Sequence, residues 1–282
     1  MTLIAASPGW RAFSRNPTAM IGLALVALVV LAALFADWIA PYPGHAGPVG
    51  DFSAMTDAPS RRFVLGTDTI GRDLLTRLIY AYRLSLEMAA VVLAIATPVG
   101  VVVGLLAGYL GAAWSYGLMR VTDVFLSIPP LVLAMSITGF LEPSAIHGMI
   151  AITAMWWPWY ARLAYNLTRA EKQEGYVLAA QTVGASLPHI LFREILPNCM
   201  PAVLTKMTID VGFVILIASS MSFVGLGAQA PTPDLGSMVA DGAKYMPDAW
   251  WLTVFPAIAI LIVVMGFNLL GDGLREAADV HR

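Results

Sequence analysis

Residues 176–198, YVLAAQTVGASLPHILFREILPN, place a polar helix, a glycine, a second helix and a proline in one short run of an otherwise apolar chain. Hydrophobic residues make up 59% of the 282 residues and charged residues only 12%, against roughly 25% charged residues in soluble domains. The composition therefore indicates a membrane protein. A membrane protein that keeps such a polar unit in water offers a surface on which another protein can dock.

Charge-poor stretches predict six transmembrane helices, since each stretch is close to or longer than the about 20 residues that cross a bilayer core. We therefore predict an all-α integral membrane protein. The fifth span contains Lys206 and Asp210, and its bounds are the least sharp. The predicted spans are 16–36, 88–119, 124–141, 143–161, 199–222 and 249–271.

The placement of lysine and arginine indicates that both termini are cytoplasmic. With six spans the two termini lie on the same side of the membrane, and most of the sixteen basic residues fall on that side. Cytoplasmic loops of membrane proteins carry such an excess of positive charge. The formal net charge of −2 argues against a nucleic-acid partner.

Two connections between spans are expected on the external side of the membrane. Residues 41–83 open with turn-rich sequence and close with charges that alternate with apolar residues at helical spacing. Residues 223–248 hold too many glycines and prolines for a long regular helix. We divide the chain into residues 1–80, with an N-terminal tail, the first span and the external connection, and residues 81–282, the core transmembrane domain.

Glycines and prolines inside the spans predict where helices approach closely or break. Gly100, Gly104 and Gly108 recur every fourth residue, which places them on one helical face and lets a neighbouring helix pack tightly. Pro129 and Pro130 lack the backbone N–H that a helix needs, so the SIPP sequence predicts a kink or an unwound turn. Such a break inside a membrane needs protein or water to satisfy its backbone.

The opening stretch reads as two short helices joined by a glycine turn. The first helix passes through Val177 and Ala180 and ends at Gly184, where a left-handed conformation costs little. Ser186 is a candidate N-cap for the second helix, and Pro197 is expected to end the unit. One face of the second helix is expected to carry Leu187, Ile190, Leu191 and Ile195.

This stretch resembles the EAA loop of ABC importer permeases, whose coupling helix seats in a groove of the ATP-hydrolysing subunit. The pattern here is LAAQTVGAS followed by ILPN, and Leu178 stands where the glutamate that names the motif is found. The resemblance implies a coupling loop at about 170–198. Its expected ATPase-coupling residues are Leu178, Ala179, Ala180, Gly184, Ala185, Ser186 and Pro197.

The resemblance covers nearly the whole chain and is to the second, C-type, permease of dipeptide, oligopeptide and nickel importers. It implies a type I importer fold in the bacterial inner membrane. It also implies four kinds of partner: a homologous permease, two ATPase subunits that bind ATP and Mg²⁺, an external substrate-binding protein and the lipid bilayer. A peptide importer is the first interpretation, and a nickel or metal-chelate importer is the alternative. The similar stretches are RNPTAMIGL (15–23), LGTDTIGRDLLTRLIY (65–80), DVFLSIPPLVLA (123–134), MSFVGLGAQAPTPDLGSM (221–238) and FNLLGDGLRE (267–276).

The sequence predicts no catalytic residue, no metal site and no cofactor in this chain. A P-loop needs Gly-Lys-Ser or Gly-Lys-Thr, but Glu, Thr and Ala precede the three lysines, Lys172, Lys206 and Lys244. The four histidines are scattered without metal-ligand spacing. ATP hydrolysis is therefore assigned to partner subunits. A stand-alone channel or secondary transporter is a further alternative, which the docking unit disfavours.

Asp210 is the candidate for a functional charge in the membrane, with Ser127, Pro129 and Pro130 as further candidates for the translocation path. An ionised carboxylate in a span should face protein or water. The competing interpretation is that Lys206, four residues earlier, neutralises Asp210 and that the pair only packs the bundle.

Two polar or aromatic groups are expected at the membrane surface rather than in a binding site. Arg120 and Asp123 are predicted to form an interfacial ion pair. An interfacial aromatic belt is predicted from Trp156, Trp157, Trp159 and Tyr160.

Overall fold

The computed structural model describes residues 8–279, and α-helices form nearly all of the regular structure in that range. Two 3₁₀ turns, Pro43–Ala46 and Phe52–Ala54, lie in the first connection, and a π-helical turn, Ile190–Ile195, joins α9 to α10. The helices are α1 (Pro8–Arg15), α2 (Pro17–Leu34), α3 (Ala36–Ile39), α4 (Leu74–Tyr109), α5 (Ala112–Leu126), α6 (Pro130–Phe140), α7 (Ala145–Glu171), α8 (Gly175–Thr182), α9 (Leu187–His189), α10 (Leu196–Phe223), α11 (Leu235–Ala243) and α12 (Trp251–Asp279).

Within residues 8–279, four helical stretches are long and apolar enough to cross a membrane, and α5 with α6 would make a fifth if they form one broken span. An all-α integral membrane fold is thereby confirmed. The predicted total of six is not established, because α7, which covers the predicted span 143–161, carries polar residues along its length and does not reach the same apolarity. The four stretches are Pro17–Leu34, Leu74–Tyr109, Leu187–Phe223 and Trp251–Ala277.

The predicted break at SIPP is present and is sharp. The axes of α5 and α6 meet at 83°, and Ser127 to Pro129 form the corner. Pro130 occupies the first turn of α6, where its missing N–H leaves no hydrogen bond unmade. The predicted third span, 124–141, therefore covers only the end of α5 together with α6, and the two helices form a broken span or a re-entrant loop.

Helix α4 begins fourteen residues before the predicted second span. Asp73 caps it, since its carboxylate accepts a hydrogen bond of 2.8 Å from the backbone N–H of Thr76. Its 36 residues extend for about 54 Å, well beyond the about 30 Å of a bilayer core. The charges of residues 74–83 thus lie on a part of α4 that extends beyond the bilayer core.

The glycine stripe of α4 packs directly against α7, as predicted. A Cβ atom on Gly100 would overlap the backbone oxygen of Trp157, and one on Gly104 would overlap that of Ala161. On Gly108 it would lie 2.6 Å from the Cβ of Thr168. Only glycine allows the two backbones to come this close, so the stripe fixes the position of α7 against α4.

The first connection is held against the start of α12. The indole N–H of Trp251 donates to the backbone oxygen of Thr67 at 3.3 Å. Asp68 forms ion pairs with Arg72 at 2.6 Å and with Arg77 at 3.5 Å, and all three side chains are largely buried. These contacts attach the connection to the first turns of α4 and α12.

Candidate coupling segment and membrane cavity

Helix α8 ends in a Schellman turn centred on Gly184. The N–H of Gly184 donates to the oxygen of Gln181 at 3.0 Å, and the N–H of Ala185 donates to the oxygen of Ala180 at 3.0 Å. These two bonds satisfy carbonyl groups that the end of a helix would otherwise leave unpaired. Gly184 has a φ of +75°, so the predicted left-handed turn is present. A Cβ atom there would meet nothing within 4 Å, and the need for glycine is therefore purely conformational.

The second helix starts at the predicted residue with a simpler cap. Ser186 has the extended backbone of an N-cap, and its carbonyl accepts the Ile190 N–H at 3.0 Å, but its side chain makes no capping bond. Ile190, Leu191 and Ile195 are buried in the main core, as predicted, whereas Leu187 is exposed.

The prediction that Pro197 ends the unit is wrong. Leu187–Phe223 is one unbroken helical stretch, and Pro197 lies in the first turn of α10. The preceding π-helical turn explains this, because the N–H of Leu196 donates to Leu191, five residues back. The wider turn makes room for a proline without a hydrogen bond to lose. The sequence carried no signal for it.

The side chains of Tyr176 and Gln181 anchor α8 to the membrane helices through three hydrogen bonds. The Tyr176 hydroxyl donates to the Glu171 carboxylate at 2.6 Å and accepts from the Asn198 amide at 3.1 Å. Burial and the Glu171 carboxylate raise the pKa of the Tyr176 hydroxyl, which keeps it a donor. The Gln181 amide donates to the Tyr109 hydroxyl at 3.0 Å. Helix α8 is therefore tied to α4, α7 and α10.

The anchored turn, residues 178–192, carries apolar side chains that are exposed on the surface of the protein. Leu178 is 50% exposed, Val183 83% and Phe192 47%. Sequence reasoning missed Val183 and Phe192, although two apolar residues in a polar segment are themselves a signal of a docking surface. Of the predicted coupling residues, Ala180 and Ala185 are half-buried against the core. The exposed ones are Leu178, Ala179, Gly184, Ser186 and Pro197.

Asp210 is buried between α10 and α7. Only 3% of the residue is exposed. Its carboxylate accepts a hydrogen bond of 3.0 Å from the Trp156 indole and pairs with the Lys206 ammonium at 3.0 Å. The ammonium also lies 5.4 Å from the ring centroid of Tyr160, a cation–π distance. The carboxylate is thus fully partnered and faces protein, as expected for a charge inside a span.

Lys206 and Asp210 line a cavity of about 660 Å³ that extends to the end of α7 and the start of α10, beside α8. Glu171, Asn198 and Arg275 also line it. Ser127, Pro129 and Pro130 do not line it; the hydroxyl of Ser127 bonds back to the Val124 carbonyl at 2.8 Å. The structure therefore brings Asp210 and Lys206 together but leaves the proline corner apart from them.

The aromatic belt and the Arg120–Asp123 ion pair, both predicted at the membrane surface, are arranged differently in the structure. The prediction of an aromatic belt is wrong for Trp156 and Tyr160, which are 6% and 0% exposed. Trp156 is buried because its indole N–H donates to Asp210. Tyr160 is buried because Gly100, which has no side chain, lets it pack against α4. Only Trp159 is exposed. The Arg120–Asp123 pair is also wrong, because Asp123 pairs with Arg162 of α7.

Comparison with protein families and solved structures agrees with this architecture. Residues 100–280 match the family model "Binding-protein-dependent transport system inner membrane component", and residues 7–57 match the N-terminal TM domain of oligopeptide transport permease C. In inward facing conformations, the MetNI methionine ABC transporter is similar in fold, with a TM-score of 0.60 at 19% identity over 73% of this chain and 97% of that chain. This confirms the predicted type I ABC importer permease fold.

Similar proteins of known name cover almost the whole chain. The di/tripeptide transport system permease protein DppC of Pseudomonas aeruginosa is 39% identical over 96% of this chain and 90% of that protein. The probable D,D-dipeptide transport system permease protein DdpC of Escherichia coli is 39% identical over 94% and 88%. The glutathione transport system permease protein GsiD of Escherichia coli is 37% identical over 96% and 88%. The chain belongs to the inner membrane components of binding-protein-dependent transport systems and is a C-type permease of an ABC importer.

Proposed function

We propose that this chain is the permease subunit of an ATP-driven importer of dipeptides and short oligopeptides. It pairs with a homologous permease to form the passage, receives substrate from an external binding protein and is driven by two separate ATPase subunits that bind ATP and Mg²⁺. The peptide permeases to which it is similar support this substrate class. We do not propose nickel as the substrate, since the relatives DppC and DdpC are named as permeases of dipeptides.

The observation that carries the proposal is the anchored turn with exposed apolar side chains. Leu178 and Val183 project from a segment whose backbone is fixed by the Gly184 turn. An apolar surface on a rigid turn can pack into a groove of a partner protein and can transmit a movement of that partner. We assign it to the ATPase subunits: their closure on ATP moves the turn, and the two permeases rock between inward and outward openings.

We assign Asp210 and Lys206 to the passage. A dipeptide carries an ammonium and a carboxylate at its ends, and the cavity lining holds two cations, Lys206 and Arg275, and two carboxylates, Glu171 and Asp210. Lys206 is partly exposed to the cavity, whereas Asp210 holds it in place. Ser127, Pro129 and Pro130 stay predicted members of the path, because a helix broken inside a membrane has to be lined by protein or water.

Cross-linking tests the coupling assignment. Val183→Cys is placed in the chain co-expressed with its permease partner and its ATPase subunits, with Trp38→Cys as the matched control, since Trp38 is as exposed and lies on α3. We expect Val183→Cys to cross-link to an ATPase subunit in membranes, with a yield that changes when ATP is added. Equal yields at the two positions would contradict the assignment.

Uptake tests the substrate class. Membrane vesicles holding the complete transporter and its binding protein should accumulate a radiolabelled dipeptide when loaded with ATP. Transport of a nickel chelate with no dipeptide uptake would overturn the peptide assignment and leave the coupling assignment intact.

A further inference from the structure

A second cavity, of about 930 Å³, lies at the end of the bundle where α4 stops and α5 begins. It is separate from the Asp210 cavity and shares no lining residue with it. Helices α4, α5, α7 and α8 all contribute walls. The polar residues that line it include Ser115, Tyr116, Arg120, Arg169, Lys172 and Gln181.

The cavity has an excess of positive charge. The only carboxylate in its lining, Asp123, is already paired with Arg162. Arg120 has no ion-pair partner among the described residues. Within residues 8–279, Arg169 has no carboxylate partner; it donates to the Tyr165 hydroxyl at 3.4 Å and lies 5.8 Å from the centroid of the same ring. Cations without a carboxylate are ready to bind an anion.

Lys172 adds a third cation in a fixed position. Its ammonium donates to the Tyr109 carbonyl at 2.6 Å and lies 5.0 Å from the Tyr109 ring centroid. These contacts use part of its donor capacity, since an ammonium has three N–H groups. The side chain is thus held at the mouth of the cavity rather than free in solvent.

The cavity lies beside the end of a helix that is long and apolar enough to cross a membrane, where lipid headgroups are expected. Helix α4, which crosses the membrane, ends at Tyr109, and Gly111 precedes α5. Trp114 and Tyr116, in the first turn or two of α5, are 63% and 71% exposed, the position of aromatic residues at a membrane surface. Val121, further along the same helix, is also exposed and offers an apolar surface to an acyl chain.

We propose that this cavity binds the headgroup of an anionic phospholipid. The lipid phosphate would lie between Arg120 and Arg169, with Lys172 beside it, and the acyl chains would lie along the outer face of α5. Basic pockets between helices on the cytoplasmic side are typical sites for such headgroups. Gln181 lines the same cavity, so a bound headgroup contacts the coupling segment α8.

Native mass spectrometry of the delipidated complex, with all partner subunits present, tests the proposal. Phosphatidylglycerol and phosphatidylcholine with identical acyl chains are added in turn. We expect phosphatidylglycerol to bind at least tenfold more tightly. Arg120→Gln should weaken its binding about fivefold, and Arg169→Gln should do the same. Neither arginine has an ion-pair partner in the part of the chain that the structure describes, so neither variant leaves a carboxylate unpaired there and both should fold.

Arg193→Gln is the matched control, since Arg193 is an exposed cation outside the cavity. It should leave the preference for phosphatidylglycerol unchanged. Equal binding of the two lipids, or equal losses in Arg120→Gln and Arg193→Gln, would overturn the proposal. Displacement of phosphatidylglycerol by millimolar inorganic phosphate would also overturn it and would indicate a soluble ligand. Cross-linking of Ser115→Cys to a protein subunit, with no effect of lipid, would assign the cavity to a protein partner instead.

Discussion

At the scale of single residues, one backbone angle sets the direction in which the coupling segment turns. Gly184 holds a φ of +75° with empty space around its α-carbon, so only conformational cost opposes a side chain there. A residue with a Cβ pays about 1–2 kcal/mol to adopt this region, and asparagine pays less. Gly184 is thus a position where geometry can be changed with no change in packing.

Gly184→Pro should leave the chain in the membrane but uncouple ATP hydrolysis from uptake. Proline fixes φ near −65° and removes the N–H that donates to Gln181, so the turn cannot form. ATPase activity and dipeptide uptake measured in the same vesicles check this. Gly184→Asn is the matched control and should keep most of the coupling. Normal uptake by Gly184→Pro would count heavily against the role of this turn.

Asp210→Asn should reduce uptake if the charged pair serves the passage. Asparagine keeps an acceptor for Trp156 but leaves the Lys206 ammonium without its counter-ion. The double variant Lys206→Gln with Asp210→Asn separates passage from packing, because it removes both charges and restores neutrality. Recovery of uptake in the double variant, or unchanged uptake and substrate-stimulated ATPase in the single variant at normal expression, would show that the pair only packs the bundle.

At the scale of helices, the contact between α4 and α7 is the least tolerant of change. Gly104→Val should destabilise the protein by about 1–3 kcal/mol, the usual cost of overpacking, since the Ala161 oxygen occupies the space of a Cβ. Thermal unfolding in detergent, followed by loss of the folded monodisperse species, measures this. Gly117→Val on α5 meets nothing within 4 Å and should change the midpoint little. Equal shifts in the two variants would mean that the stripe does not hold the helices together.

The elements that the sequence predicts well are those set by local chemistry. Gly184, the SIPP corner and the glycine stripe of α4 follow from what glycine and proline do to a backbone, whatever surrounds them. The start of α4 at Leu74 lies before the predicted span because charges limit the part of a helix that stays in lipid and not the helix itself. The passage of Pro197 through a helix was missed because a π-helical turn has no sequence signature.

The candidate sites depend on contacts that are distant in sequence, and there the prediction is weaker. Trp156 is buried because Asp210, 54 residues later, accepts its N–H. Asp123 forms its ion pair with Arg162 rather than with Arg120, which is closer in sequence, because α5 packs against α7. Local patterns favour neighbours three or four residues apart. They located the Lys206–Asp210 pair but not these two.

At the scale of the whole molecule, the first connection and the coupling segment should lie on opposite sides of the membrane. Gly44→Cys and Ser186→Cys both place a thiol at an exposed position. A membrane-impermeant thiol reagent added to intact cells should label Gly44→Cys and spare Ser186→Cys until the membrane is permeabilised. The native Cys199 is buried and should add little background. The reverse pattern would invert the orientation and remove the ATPase from reach of the turn. The division at residue 80 stays a prediction.

The hydroxyl of Tyr176 touches the last turn of α7 and the first turn of α10 at once. In the coupling proposed above, a force that an ATPase applies to α8 would reach both α7, which bears Trp156, and α10, which bears Asp210, through this one hydroxyl. Tyr176→Phe keeps the ring and cuts that mechanical link. In this variant we expect a movement of the ATPase to reach α8 as before but to reach α7 and α10 unequally.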